Sequence, residues 1–373
     1  MRSLGDLHKD LATAGAIPPG WEESVAAVDR ALFVPKRFGD LDYKAEPAAW
    51  RAVVYSDAPI VTQYDDGAED GPGVPTASSS KPSAMLEMLA LLDVHDGMRV
   101  WEIGTGAGYM AAWLAYRLGD GNVVSSEVDP VVLRAATAAL DKARLHPELA
   151  LGDALEKPPS GAPFDRILGT CTLRRIPGVL LRHLRDEGRL VTPYGSSFHS
   201  YSYLTLKKRG REAHGQFSGN PAFMWARTHR GRTGAISDVY QGQAGHPSST
   251  TLNPWAIEDS ADAEFFISRL VPDAYPVMVR SDKEGDESAT YWVLADDWES
   301  WATVEYEPDA QRYAVEQYGP RRLWDEVEHA FGRWRELDRP VRERFGLTVT
   351  DDGHETIWLD NPAYKLTVPH GRG

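Results

Sequence analysis

The run Arg99-Val-Trp-Glu-Ile-Gly-Thr-Gly-Ala-Gly-Tyr109 constrains this chain more than any other feature. An apolar strand runs straight into Gly104, Gly106 and Gly108, and a helix-like stretch from Met110 to Leu118 follows. Strand, glycine turn and helix N-terminus make a cradle in which backbone approaches a ligand closely. The spacing is G-x-G-x-G, not the G-x-G-x-x-G of dinucleotide binders. Glycine also marks ordinary turns, so the turn needs support from the rest of the chain.

That support comes next. Asn122 to Glu127 predicts a second strand ending in an acid, and Pro130 to Arg144 a helix. Glu127 lies about 20 residues past the glycines, where a doubly wound fold offers a carboxylate to ribose hydroxyls. Glu148 to Asp153, Phe164 to Gly169 and Gly188 to Pro193 predict three more strands. Alternating strands and helices argue for a mostly parallel sheet covered on both faces. Gly104, Glu127, Asp153 and Thr170 then fall at or just past the carboxyl ends of strands, where such sheets bind ligands. Each acid alone reads as a solvated loop residue; their joint placement carries the weight. With the acid Glu102 before the turn, the pattern points to S-adenosylmethionine.

Several separate motifs resemble the protein-L-isoaspartate O-methyltransferase family. In order they are Val28-Asp-Arg-Ala-Leu-Phe-Val-Pro35, Tyr55-Ser-Asp-Ala-Pro-Ile60, Ser78-Ser-Ser-Lys-Pro82 and Val100 to Tyr109. Gly152-Asp153, Ala162 to Ile167 and Gly188-Arg-Leu-Val191 continue the series. The resemblance implies a Rossmann-like class I methyltransferase fold, doubly wound and mostly parallel. It implies S-adenosylmethionine as methyl donor, S-adenosylhomocysteine as product, and a side-chain carboxylate of a peptide or protein as acceptor. Expected cofactor contacts are Glu102, Gly104, Thr105, Gly106, Gly108, Tyr109, Glu127, Val128, Gly152, Asp153, Ala154 and Thr170. Expected substrate contacts are Asp57, Ile60, Val61, Ser78, Ser79 and Ser80. Ser80 is the first catalytic candidate, with Ser79 and Thr170 behind it.

Two departures stand out. The family's short segment before the first helix of the fold is here a longer one, Ile60 to Pro75 followed by Thr76 to Pro82. That segment helps hold the isoaspartyl substrate in the family, so its rebuilding bears on acceptor choice. The chain also runs on from about residue 210 to residue 373. In this it resembles the C-terminally extended type associated with biosynthesis of ribosomally made, modified peptides such as lanthipeptides and graspetides. Those enzymes methylate an ordinary aspartate in a cyclised precursor, and the ester goes on to aspartimide or isoaspartate.

The chain divides into an N-terminal substrate-side region with its binding loop (1–82), a methyltransferase core (83–234) and an α+β extension (235–373). Within the extension, Phe265 to Val271, Tyr291 to Leu294 and Trp301 to Tyr306 are strand candidates. Pro320 to Leu337 is a helix candidate, and Gly346 to Thr350 with Glu355 to Asp360 a terminal hairpin. Its role is either peptide recognition or stabilisation.

No apolar stretch reaches membrane-spanning length, and no secretory leader pattern opens the chain. The single cysteine, Cys171, excludes an intrachain disulfide. A cytoplasmic monomer is expected, with no membrane and no metal. Cys171 reads as a packed thiol rather than a nucleophile, because no histidine partner is evident. A formal net charge of −15 argues against nucleic acid as partner. Two local basic runs, Lys207 to Arg211 and Arg227 to Arg232, read either as solvated loops or as a dock for an acidic peptide.

Methyl transfer to a carboxylate needs no strong general base, because the acceptor is already ionised near neutral pH. Positioning and desolvation carry the rate. Ser80 is suited to hold the acceptor carboxylate, or simply to cap the helix beginning near Pro82. Three functions fit: a peptide-tailoring carboxyl methyltransferase, a general isoaspartyl repair enzyme, and a cofactor-binding scaffold without activity.

Overall fold

Val100–Ile103 is buried along its whole length, at the heart of a sheet that the glycine motif requires. The computed structural model describes residues 1–199, 201–232 and 234–366. Among them nine strands form the main sheet. From one edge the order is Glu148–Leu151, Val123–Glu127, Val100–Ile103, Phe164–Gly169, Leu184–Tyr194, Ser202–Arg209, Glu212–Ser218, Phe345–Thr350 and Glu355–Leu359. The first five run parallel, and the pairings from Leu184–Tyr194 onward are antiparallel. The fold is therefore the expected α/β arrangement of a class I methyltransferase with added C-terminal strands.

Side chains alternate between faces along a strand, and both faces here are covered. Val100, Val123, Leu168 and Val191 join one core with the helices Pro82–Leu92 and Tyr109–Leu118 and the N-terminal helices. Trp101, Val124, Ile167 and Leu190 join the other, beneath Gly178–His183 and the C-terminal extension. Between Val123–Glu127 and Glu148–Leu151, Asp129 caps Pro130–Ala143, its side chain accepting from Val131 and Val132 N–H.

The extension supplies a five-stranded antiparallel sheet, Ala274–Arg280, Ala289–Ala295, Trp301–Tyr306, Tyr313–Tyr318 and His246–Thr250. Helices Ala261–Leu270 and Leu323–Glu336 pack on it, with Trp324, Val327 and Trp334 buried. Its core is continuous with that of the main sheet: Phe265 lies 4.9 Å from Phe217 and 5.5 Å from Phe345, centroid to centroid.

One reading of the extension needs correction. Phe265 to Leu270 is helical, part of Ala261–Leu270, and Val271 is the residue that ends it. Its apolar run lacks alternation, and a buried helix and a buried strand look alike at that length. The deciding signal was Ser260, whose hydroxyl caps the helix at Ala263 N–H. The terminal hairpin across Asp351 to Gly353 does form, but it joins the main sheet beside Glu212–Ser218. The chain thus leaves the main sheet, builds the second one and returns. A cut near residue 235 would strip a paired strand from the methyltransferase core and expose an edge.

Among the described residues no helix is long and apolar enough to cross a membrane, and no group of three acids, histidines or cysteines is placed to hold a metal.

Candidate active site

The glycine turn is held open by the strand that follows it in the sheet. Gly104 N–H and Thr105 N–H both donate to Ser126 C=O, at 2.8 and 3.1 Å. Gly104 has φ +97°, and a Cβ there would meet Thr170 Oγ1 at 2.7 Å. Only glycine fits both constraints. Glu127, 9 % exposed, turns its carboxylate back onto the same turn. One oxygen accepts from Gly106 N–H at 2.9 Å; the other accepts from Val128 and Asp129 N–H.

These groups face a cavity of about 590 Å³ at the carboxyl ends of the parallel strands. Glu102, Gly104, Thr105, Gly106 and Tyr109 form one wall, and Glu127, Val128, Gly152, Asp153 and Ala154 another. Thr170 and Cys171 lie between them. Gly108 is not on the wall; it begins the helix Tyr109–Leu118 and packs against Ala136. Thr170 Oγ1 donates to Gly104 C=O at 2.5 Å, so its hydroxyl braces the turn. Burial pushes the Cys171 thiol up to about 12, with the Glu127 and Asp153 charges adding to the effect. It is a neutral thiol, not a nucleophile.

The opposite side comes from the hairpin Ile60–Tyr64 and Pro75–Ser79. Val61, Ser78, Ser79 and Ser80 line the cavity; Asp57 and Ile60 do not. Ile60 is core. Asp57 accepts from Ser83 N–H at 2.8 Å and so caps the helix Pro82–Leu92. That leaves the Ser80 hydroxyl free of the capping role, and it has no hydrogen-bond partner among the described residues.

Ser79 is different: its hydroxyl accepts from Arg30 Nε at 3.3 Å. Arg30 is fully buried and donates to Val54, Ser56 and Ala58 C=O, and to Ser79 and Ser80 C=O at 3.1 and 3.0 Å. Burial pulls its guanidinium down to about 10, so it stays charged at neutral pH. One side chain thus ties the serine segment to the N-terminal region.

The remaining wall is 220–230, from which Phe223, Met224, Trp225, Arg227 and Arg230 line the cavity. The extension grips this segment. Arg174 donates to His229 C=O at 2.9 Å and to Asp296 at 3.1 Å, with its guanidinium 5.0 Å from the Trp225 ring centroid. Trp298 Nε1 donates to Arg232 C=O at 2.9 Å.

Comparison with known proteins decides the family. The family model for protein-L-isoaspartate(D-aspartate) O-methyltransferase (PCMT) matches residues 20–222. The enzyme of that name from Methanothrix thermoacetophila is 32% identical over 188 residues, 50% of this chain and 78% of that protein. The one from Anaeromyxobacter dehalogenans is 33% identical over 192 residues, 51% of this chain and 79% of that protein. The chain belongs to the protein-L-isoaspartate O-methyltransferase family. It is an S-adenosylmethionine-dependent carboxyl O-methyltransferase.

A solved structure titled protein-L-isoaspartate O-methyltransferase superposes with a TM-score of 0.56 at 20% identity. The match covers 96% of this chain and all of that one. The likeness is one of fold, and it spans nearly the whole of this chain.

The cavity fits the cofactor of a PCMT enzyme. Glu102 Oε1 is buried without a hydrogen-bond partner, and Oε2 accepts from Ser125. An orphaned buried carboxyl oxygen on the wall suits the cationic methionyl end of S-adenosylmethionine. Burial pushes Glu102 up to about 8, so it is neutral at pH 7 without a cation beside it. Binding of a cation favours the ionised form and releases a proton. Calorimetric titration with the cofactor at pH 7 should give apparent enthalpies that differ between phosphate and Tris. In Glu102→Gln that difference should vanish and affinity should fall. Identical enthalpies in both buffers for the parent protein would remove Glu102 from this role.

Sequence reasoning missed Arg30 as a positioning group and Trp225 altogether. Arg30 sat inside a quoted motif, but its acceptors lie 24 to 50 residues away. Arg227 and Arg230 were visible only as a basic run.

Proposed function

We propose that this enzyme methylates the side-chain carboxylate of an ordinary aspartate in a ribosomally made, modified and ring-constrained precursor peptide. The observation that carries this reading is the acceptor side of the cavity. The lengthened hairpin carries the serine segment on one side of the cavity, and the segment 223–230, which lies beyond the family-matched residues, lines it as well. Acceptor choice thus rests on a hairpin rebuilt within the family-matched residues and on a segment just beyond them.

The bound cofactor supplies an electrophilic methyl group on a sulfonium. With the cofactor bound, an oxygen of the acceptor carboxylate would take that methyl group as the carbon–sulfur bond breaks, and no proton would need to move. The Ser80 hydroxyl, unengaged elsewhere, donates to the other carboxylate oxygen and fixes its angle. Arg30 holds Ser80 in place from behind. Phe223, Trp225 and the hairpin exclude water, which removes solvation from the attacking oxygen.

Once formed, the ester is a better electrophile than the carboxylate. The next backbone nitrogen attacks it, expels methanol and closes a succinimide, and a constrained ring raises the effective concentration of that nitrogen. Mass spectrometry on a cyclic aspartyl peptide should show a gain of one methylene, then a net loss of one water. The matching isoaspartyl ring serves as the comparison. Methylation of the isoaspartyl peptide alone would hand the function to the repair reading, which the names of the relatives favour.

A further inference from the structure

The hairpin tip is tied to the outer wall by charge. Arg230 meets Asp66 in a bidentate pair, Nη1 to Oδ2 at 2.6 Å and Nη2 to Oδ1 at 2.9 Å. Arg227 Nη2 lies 3.0 Å from Asp66 Oδ1 and 3.0 Å from Asp129 Oδ2. Both arginines line the cavity, while Asp66 does not. So one face of each arginine looks inward, and the carboxylate they share comes from outside.

Asp66 is delivered there by costly backbone. Asp65 and Asp66 are consecutive non-glycine residues at φ +51° and +54°. The turn is held by Asp65, whose carboxylate accepts from Gly73 and Val74 N–H at 2.8 and 2.7 Å. Asp66 N–H donates to Thr76 Oγ1 at 3.0 Å. Strain of this kind persists only where the surroundings impose it, and it gathers at ligand clamps. Its result here is a carboxylate aimed at two arginines.

A fork of two guanidinium groups is the geometry that reads a carboxylate bidentately. Arg227 also has a permanent partner, Asp129, which is only 6 % exposed at its side chain. Burial raises the Asp129 carboxyl, but hydrogen bonds from Gln63, Arg227 and the Val131 and Val132 N–H groups outweigh it and hold it down at about 2. Arg230 has no carboxylate partner but Asp66 among the described residues. The pair therefore keeps one net positive charge when Asp66 leaves, in a protein whose net charge is −15.

We infer that Arg227 and Arg230 form a subsite for an acidic side chain of the substrate peptide, flanking the methylated residue, and that Asp66 occupies this subsite as an internal stand-in until the peptide displaces it. This rests on a peptide carboxyl acceptor, as proposed above, but not on which acid is methylated. An arriving glutamate or aspartate takes over the Arg230 fork and releases the hairpin tip. The rim opens only for a peptide that carries the charge to replace Asp66. Arg174, with Asp296 behind it, keeps the wall in register while the hairpin moves.

The test is a binding measurement, so it needs no turnover. The probe is a fluorescein-labelled short peptide of alternating acidic residues and glycines, with its asparagine/glutamine counterpart. Anisotropy is read at low ionic strength on enzyme saturated with S-adenosylhomocysteine. The protein should prefer the acidic probe. Asp66→Asn should bind it about fivefold more tightly, the scale of a competing partly exposed ion pair. Asparagine tolerates the left-handed backbone, so the turn should survive. Asp66→Gly, which suits φ +54° better still, should behave the same way and guards against a folding artefact. Arg230→Gln should abolish the preference for the acidic probe and leave binding of the neutral one unchanged. A latch with only a structural role would instead weaken both probes equally in all three variants. Equal affinity of the parent and Asp66→Asn for the acidic probe would overturn the inference. So would an Arg230→Gln protein that keeps the preference, or an acidic probe that binds none of the proteins. Methylation of isoaspartate in place of aspartate would sink the proposed function and leave this result standing.

Discussion

Arg30→Met is expected to abolish methyl transfer and to lower stability by about 3–5 kcal/mol, the cost of removing one partner from a buried charged network. Methionine fills most of the volume, so the loss is polar rather than a cavity. Five carbonyls and the Ser79 hydroxyl lose their donor. Each such acceptor left buried costs about 1–3 kcal/mol before relaxation. No carboxylate lies within ion-pair distance of Arg30 among the described residues, so carbonyl dipoles and the Ser79 hydroxyl hold the charge, with a longer-range attraction from Asp57. Arg30→Lys separates fold from chemistry. Its ammonium offers three donors where six acceptors wait. The Lys variant should therefore fold, with a thermal midpoint between those of the parent and the Met variant. Its cofactor affinity should stay near that of the parent, because that wall is built around residues 102–127. Turnover should fall, because Ser79 and Ser80 lose part of their anchor. Calorimetry and initial rates on the same preparation give this split. A Lys variant with the parent's turnover would mean that the serine segment places itself without Arg30.

How far the site could be read from the sequence follows from how local each feature is. The glycine turn and Glu127 were legible because one strand–turn–helix unit carries them, with a spacing that the sheet dictates. The motif around Val28 to Pro35 was visible, yet the reach of Arg30 was not. Its acceptors come from two separate stretches, 54–58 and 79–80, that meet only in the folded chain. Asp57 sits in a family motif and was read as touching substrate; in the structure it caps a helix at Ser83. A carboxylate 26 residues before the N–H it accepts from gives no sequence sign of which N–H it will find. The strands of the parallel half were legible because each is a short apolar run between turn signals. Phe265 to Val271 was misread because a helix buried all round has no polar face to reveal its period. The return of the hairpin Phe345–Leu359 to the main sheet was hidden for a different reason. Its partner strand Glu212–Ser218 lies more than a hundred residues earlier, and pairing at that distance leaves no local trace.

Glu127→Ala should weaken cofactor binding by about 1–3 kcal/mol, roughly fivefold to 150-fold, as for loss of a charged hydrogen bond. Two losses combine in that figure. One is the contact to ribose hydroxyls expected of a carboxylate on the cavity wall. The other is internal, because the same group accepts from Gly106, Val128 and Asp129 N–H. Without it the glycine turn keeps its anchor at Ser126 C=O but loses the bond that fixes Gly106. The turn then has to be ordered when the cofactor arrives, and binding bears that entropy. Glu127→Gln distinguishes the two losses. Its carbonyl oxygen can still accept from Gly106 N–H, so the turn should remain ordered while the charge is gone. Calorimetry should place the Gln variant between the parent and the Ala variant. The Ala variant alone should show the more unfavourable binding entropy. Acceptor affinity should stay unchanged in both, because the serine segment and the arginine pair lie on the other walls. If Glu127→Ala binds the cofactor as tightly as the parent protein, Glu127 is only a brace for the turn, and the ribose contact must come from another group on the cavity wall.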